Sequence, residues 1–546
     1  MDGVVEVSVP MRDGAVLHAD LYLPPGRGPH PTLVHRTAYG TRTTAMVVHL
    51  VADPAVLAAA GYAVLVQDVR GRFASEGEWE PFVHEAADGY DTVEWAAAQP
   101  WSSGRVAVYG SSYMGIATYQ VLAAAPPHLA AAAVWVAGSD PDNGLLRTGG
   151  ALELGFLTGW NLANARDTVR REGVDVGTRT ALLDAVDAEP WSVVRSVPLL
   201  DHPALALSPA LRAQVHHEAG DPLWRSVAVT AEQVGVPLLQ VVGLRDWMAP
   251  SMLTLFRALQ EPSGPHRLVA GPWTHHSAYA GPTGERDLTG PAPGGPAAHT
   301  PTLLAFLDQH LRDGVPDDDP VVRYYSTGDD TWRASSSWPP EGTTTSTWFT
   351  GPDGALRVAE PGAGVDELVH DPRDPVPTVG GSCCHLALGP SGIVDHAEVA
   401  RRPDVLTWTG PPLVAPLRLA GEVSLELVLT TTAADADVVV FLVDVHPDGY
   451  AEPVTDGVLR TRYRLGGTRH WLVPGEATPL VVRLADTAHT LAAGHRLRLE
   501  LAGSSFPRFA PNPGTRVLPE LATPADLTTA VHHVDHGARV VLRTCA

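Results

Sequence analysis

Four short apolar runs constrain this chain more than any other feature: Thr32–His35, Ala63–Gln67, Val106–Tyr109 and Ala131–Val136. None of them alternates. A strand without alternation fits burial on both faces, the condition of a parallel sheet covered by helices. Helical patterns lie between the runs, at about 46–60, 85–98 and 113–124. Strand and helix in alternation predict βαβ units and an α/β domain. Ahead of the runs, residues 3–9 and 15–23 read as two strands joined by a turn at Met11–Gly14.

The 546 residues exceed one ordinary domain, and at roughly 100–200 residues per domain about three are expected. After Val136 the pattern turns mostly helical over 142–233, with aromatics at Phe156, Trp160, Trp191 and Trp224. Strand-like runs resume at Pro237–Val242 and Arg267–Ala270, with helices predicted near 250–260 and 300–312 and a proline-rich loop over 281–301. From about 325 onward short β-rich runs recur, at 345–349, 413–429, 437–445, 458–465, 479–484, 495–502 and 538–543. These predict a C-terminal β-sandwich, read as a jelly roll. The expected organisation is an α/β domain over 1–141 and 234–325, a helical lid inserted at 142–233, and the β domain over 326–546.

Charge and composition exclude several classes. Sixty-one acidic residues against 38 basic ones give a net charge of −23, which repels phosphate backbones and argues against a nucleic-acid partner. All the basic residues are arginine, so Schiff-base catalysis, a Ser–Lys dyad and a lysine phosphate loop are impossible. Cys383, Cys384 and Cys545 offer neither a disulfide framework nor a C-x-x-C pair. The start carries no basic segment followed by an apolar run, and no stretch reaches eighteen uninterrupted apolar residues. A cytoplasmic protein with no membrane partner is expected.

The sharpest chemical signal is Val106-Ala-Val-Tyr-Gly110-Ser-Ser112-Tyr-Met-Gly115, an apolar strand running into a small-residue turn and then a helix. It is nearly the G-x-S-x-G nucleophile elbow, with the second glycine one place late. The register selects Ser112 over Ser111, and the N–H of Tyr113 then faces a developing oxyanion. A nucleophilic serine needs a base and the base needs an orienter, which in α/β-hydrolases follow in the order Ser, Asp or Glu, His. Asp246 stands just past the strand at 237–242, and His275 just past the strand at 267–270, with His276 as its rival. Ligands bind beyond the carboxyl ends of strands in open α/β sheets. Tyr39, in the loop after the first apolar run, could supply a second oxyanion donor.

Together these motifs resemble the cocaine esterase-like, or CocE/NonD, family of serine hydrolases. The resemblance runs through Arg12-Asp-Gly14, Arg36-Thr-Ala-Tyr39, Gln67-Asp-Val-Arg-Gly71, Ser75-Glu-Gly77 and Gly271-Pro-Trp-Thr-His275, and continues in Asp371–Pro377, Arg402–Leu406, Leu442–Gly449 and Ser504–Arg508. It implies an α/β-hydrolase domain with a helical insertion and a C-terminal jelly roll. It implies Ser112 as nucleophile, Asp246 as acid and His275 as base, with the Tyr39 hydroxyl and the Tyr113 N–H as oxyanion hole. It also implies no metal or organic cofactor, and a homodimer is plausible from it.

The expected chemistry is two-step acyl transfer on a small-molecule ester or amide, through an acyl-enzyme on Ser112. The alternatives are acyl transfer or cyclisation with the same triad, amide hydrolysis like that of the X-Pro dipeptidyl-peptidases, and a binding protein on a hydrolase scaffold. Trp135, Phe156, Trp160 and Trp247 are candidate pocket residues. Arg245 departs from the aromatic usual before the family's aspartate. It either favours an anionic substrate or pairs outward, and outward pairing is the expectation. The histidine-rich Val531–His536 is expected to be a solvated loop rather than a metal site.

Overall fold

The computed structural model describes residues 4–42, 51–260, 265–313, 320–383 and 387–545. β1 (Val4–Pro10) and β2 (Val16–Tyr22) pair antiparallel around the Met11–Gly14 turn. The four apolar runs become β3 (His30–Thr37), β4 (Ala63–Asp68), β5 (Ser102–Ser111) and β6 (Leu129–Trp135). All of β4 is buried, as a strand covered on both faces requires. Between these strands run α1 (Pro54–Ala59), α2 (Glu85–Ala97) and α3 (Ser112–Ala124). The part of the predicted 46–60 helix ahead of residue 51 lies outside the described residues.

A two-residue-stranded hairpin, β7 (Arg147–Thr148) and β8 (Ala151–Leu152), leads into the inserted helices. These are α4 (Leu154–Glu172), α5 (Val176–Ala188), α6 (Trp191–Val194), α7 (Pro209–His216) and α8 (Pro222–Val227). The chain then re-enters the sheet through β9 (Leu238–Gly243), α9 (Ala249–Leu259), β10 (Arg267–Gly271) and α10 (Pro296–Leu311). It leaves through β11 (Val322–Ser326) and β12 (Thr331–Ser335).

The sheet order is β1-β2-β4-β3-β5-β6-β9-β10-β11-β12. Every pairing from β4 to β11 is parallel, and the outer strands pair antiparallel. The carboxyl ends of β3, β5, β9 and β10 therefore open on one edge. Two differences from expectation concern boundaries. β12 carries the first sheet past the expected end at 325, because Thr331–Ser335 turns back as a hairpin on β11. The loop expected over 281–301 is shorter, because Pro296 starts α10, where a missing N–H costs nothing.

The rest of the chain forms a β-sandwich. Its strands are β13 (Thr344–Gly351), β14 (Ala355–Arg357), β15 (Val365–His370), β16 (Val405–Thr409), β17 (Leu417–Thr431) and β18 (Asp437–Val445). β19 (Ala451–Arg460), β20 (Thr478–Leu491), β21 (Arg496–Ala502), β22 (Ala530–Asp535) and β23 (Arg539–Cys545) complete it. Along β17, Val423, Leu425, Leu427 and Leu429 point inward, and the residues between them are less buried. They join one apolar cluster with Val540, Leu542, Leu480 and Val482. Two further expectations are corrected. Residues 461–463 form a 3₁₀ turn rather than the end of a strand. Val531–His536 is not a solvated loop, since β22 lies between β15 and β17 and buries His532.

Candidate active site

β5 ends at Ser111 and α3 begins at Ser112, with no residue between them. The abrupt reversal holds Ser112 at φ +52°, a left-handed conformation that L-residues other than glycine rarely adopt. Two glycines permit it. A Cβ on Gly110 would stand 2.4 Å from the Met114 carbonyl, and a Cβ on Gly115 would stand 2.5 Å from the Ala137 Cβ. The late second glycine is thus where α3 presses on the chain leaving β6. Ser111, by contrast, has its Oγ buried and without a hydrogen bond, while His275 meets Ser112.

Asp246 and His275 come from the next two βα loops, and these loops brace each other. The N–H groups of Leu244 and Arg245 donate to Gly271 O at 2.9 Å and Trp273 O at 3.0 Å. A Cβ on Gly243 would meet Trp273 O at 2.5 Å, so the close approach needs glycine. His275 Nδ1 lies 2.9 Å from Asp246 Oδ2, and His275 Nε2 lies 2.9 Å from Ser112 Oγ. The other Asp246 oxygen accepts the Met248 N–H at 3.0 Å, so both carboxylate oxygens are held. Asp246 is wholly buried and His275 is 6% exposed. The His276 ring stands perpendicular to that of His275, at 5.9 Å.

Tyr39 follows β3 on the same edge of the sheet. Its hydroxyl accepts the Trp160 indole N–H at 2.9 Å, the direction fixed because indole only donates. The Tyr113 side chain turns inward, donating to Glu85 Oε1 at 2.6 Å. Burial and that carboxylate raise its phenol well above the ordinary value, so it stays protonated. Its backbone N–H is in the first turn of α3, where helical amides have no partner inside the helix. Three of the four expected pocket aromatics gather here. Trp247 lies 4.7 Å from the His275 ring and 4.5 Å from Phe156, and Phe156 stacks on Trp160 at 6.2 Å.

Residues 13–277 match the X-Pro dipeptidyl-peptidase (S15) family, and residues 313–541 match the X-Pro dipeptidyl-peptidase C-terminal non-catalytic domain. The chain is 33% identical to cocaine esterase of Rhodococcus sp. (strain MB1 Bresler), over 97% of this chain and 96% of that one. The chain belongs to the CocE/NonD family. It is an enzyme of the serine hydrolase class. Among solved structures, an α-amino acid ester hydrolase superposes with a TM-score of 0.78 at 26% identity, covering 99% of this chain and 96% of that one. An aminopeptidase from a marine sediment archaeon, Thaumarchaeota archaeon, shares the fold with a TM-score of 0.81 at 24% identity, covering 100% of this chain and 97% of that one.

The fourth aromatic is corrected. Trp135 is fully buried with Leu33, Tyr109 and Trp273, in an apolar cluster separate from the one that holds Trp247. It ends β6 directly opposite Ser111, whose side chain is itself buried, so it packs as core. Arg245 turns away from the serine hydrolase site, as outward pairing predicts. Its guanidinium donates to Pro453 O at 2.5 Å and to Glu452 Oε1 at 3.4 Å in the sandwich. Sequence reasoning missed Arg72. It donates to Ala38 O at 2.8 Å, next to Tyr39, and to the carbonyl of Asn164 on α4 at 2.9 Å. Its guanidinium also lies over the Trp79 ring at 4.4 Å. The only signal was its place beside the Gln67–Gly71 motif. Among the described residues no helix is long and apolar enough to cross a membrane.

Proposed function

We propose that Ser112, His275 and Asp246 act as nucleophile, base and orienter in the cleavage of a small-molecule ester with an apolar or aromatic group. The observation that carries this is the unbroken chain of two 2.9 Å contacts from Asp246 through His275 to Ser112. Ser112 Oγ gives its proton to His275 Nε2 and attacks the acyl carbonyl. Asp246 accepts the Nδ1–H, fixes the tautomer and stabilises the imidazolium. The Tyr39 hydroxyl and the Tyr113 N–H donate to the tetrahedral oxyanion. His275 then protonates the leaving alcohol, and water repeats the cycle in reverse to release the acid. Trp247, Phe156 and Trp160 form the wall against which the apolar group packs, which favours flat or bulky acyl or alcohol portions.

The test is turnover of p-nitrophenyl and benzoyl esters by wild type and Ser112→Ala, with a fluorophosphonate label located by mass spectrometry. The expected result is a loss of about 10⁴-fold or more in the variant, with the label on Ser112. A label on another serine, or unchanged turnover in the variant, overturns the assignment.

A further inference from the structure

Asp444 lies near the end of β18, His446 just past it, and His495 just ahead of β21. β18 and β21 pair antiparallel with Val445 opposite Arg496, so the register sets the two histidines side by side. Their rings are 4.4 Å apart. One donor atom from each of the three residues lies within 4.8 Å of the others. Asp444 Oδ1 is 2.8 Å from His495 Nδ1, and Asp444 Oδ2 is 4.0 Å from His446 Nε2. Zinc ligands at about 2.0–2.2 Å in a tetrahedron stand roughly 3.4 Å apart. The two observed separations, one at each carboxylate oxygen, lie on either side of that value.

The surroundings fit a cation. The three donors open on a cavity of about 430 Å³, whose lining includes Glu285, Arg286 and Glu452. Three carboxylates, Glu285, Asp444 and Glu452, face the cavity against the single guanidinium of Arg286, so the lining is acidic and attracts a cation. Arg286 and the buried Arg245 are both turned to Glu452, at 3.5 and 3.4 Å, and not to Asp444. The fully buried His489 grips Asp444 Oδ2 at 3.0 Å and is itself fixed by Thr327 Oγ1 at 2.7 Å. Such an outer partner aims a ligating carboxylate.

We propose that Asp444, His446 and His495 form a binding site for a divalent transition-metal ion of the zinc class. Two imidazoles and one carboxylate suit zinc and its neighbours better than calcium or magnesium. A water from the cavity fills the fourth position. The site lies where the sandwich meets the α/β domain. Glu285 and Arg286 come from the stretch between β10 and α10, and Gly328 from the β11–β12 turn. Through Glu452 and Arg245 it also reaches the loop that carries Asp246. A bound ion is therefore held from the sandwich side, at the seam behind the histidine–aspartate loops. This site stands apart from the serine chemistry, and its test does not depend on ester turnover.

The full chain, dialysed against EDTA, is titrated with Co²⁺ as an optical probe and with Zn²⁺ by calorimetry. The expected result is one ion per chain, visible d–d bands of four-coordinate Co²⁺, their displacement by Zn²⁺, and a raised melting temperature. His446→Ala with His495→Ala abolishes the bands. His489→Gln weakens binding by about 10–100-fold. His533→Ala, on β22, changes nothing. Melting of each variant without metal checks folding, and His495→Gln alone serves if the double variant is unfolded. Absence of the bands in wild type, or their persistence in a folded variant lacking both histidines, overturns the proposal.

Discussion

Tyr39 is held in a way that suits the oxyanion role proposed for it. The Trp160 indole donates to a lone pair of the phenol oxygen, which fixes the hydroxyl. Arg72 holds the neighbouring Ala38 carbonyl, so the loop beneath is fixed as well. Removing one oxyanion donor typically costs about 10²–10³ in kcat. Tyr39→Phe is therefore expected to lower kcat by roughly that factor with KM little changed, read from steady-state kinetics on a p-nitrophenyl ester. A rise in KM alone, with kcat unaltered, would place Tyr39 in substrate binding instead. Which residues were legible follows from the physics of each. Ser112, Asp246 and His275 each follow a buried strand, and strand ends are visible in sequence. Trp135 also ends a strand, but which way its side chain turns depends on the neighbouring strand's register, and periodicity carries no information about that. Arg72 matters through a contact across 92 residues of chain, which no local pattern reveals, and Trp160, although named as a pocket aromatic, reaches Tyr39 across 121 residues, a partner no local pattern reveals either.

At the scale of elements, the strand–helix junction at Ser112 rests on contact between α3 and the chain after β6. The Gly115 position decides how close they come. Alanine there gains about 1 kcal/mol of helix propensity. Its Cβ would also sit 2.5 Å from Ala137 Cβ and 3.0 Å from Val134 Cγ1, both on packed, inflexible groups. Overpacking of that kind costs about 1–3 kcal/mol or more, so the steric term wins. Gly115→Ala is expected to lower the urea midpoint and to reduce kcat together, because relief requires α3 to move and Ser112 is its first residue. A variant with a raised midpoint and normal turnover would show that the helix does not carry the serine's position. The parallel strands were readable because burial on both faces erases alternation. β12, β15 and β22 were not. They are short, polar strands completed by partners, as β22 is by β15 and β17, and their pairing comes from the sheet rather than from their own pattern.

Across the whole molecule, two buried ion-pair sets join the halves. Arg508 of the sandwich region meets Glu153 ahead of α4 at 3.0 Å and Asp456 of β19 at 2.5 Å, while Arg245 reaches Glu452. The halves are thus expected to lose stability together, and each contains a buried neutral histidine that makes the loss depend on pH. His299 on α10 lies against Trp135 and Trp273 and bonds Ala278 O at 2.7 Å, and burial lowers its pKa to about 4. His532 on β22 contacts Thr431 Oγ1 at 2.8 Å and stacks on His370, and burial, aided by His370, lowers its pKa to about 3. An unfolded chain protonates both near pH 6.5. Between that pH and about 4 the unfolded state therefore binds more protons than the folded one, so stability is full above about 6.5 and falls as the pH drops. Each histidine contributes a slope of about 1.4 kcal/mol per pH unit in that window. Unfolding free energies from urea titrations at several pH values between 7.5 and 4.5 should show this decline. His532→Gln should reduce its slope by about one histidine's share, whatever its offset at neutral pH. An unchanged slope would mean that His532 is already protonated in the folded protein, and that the acid sensitivity resides in His299 and the carboxylates.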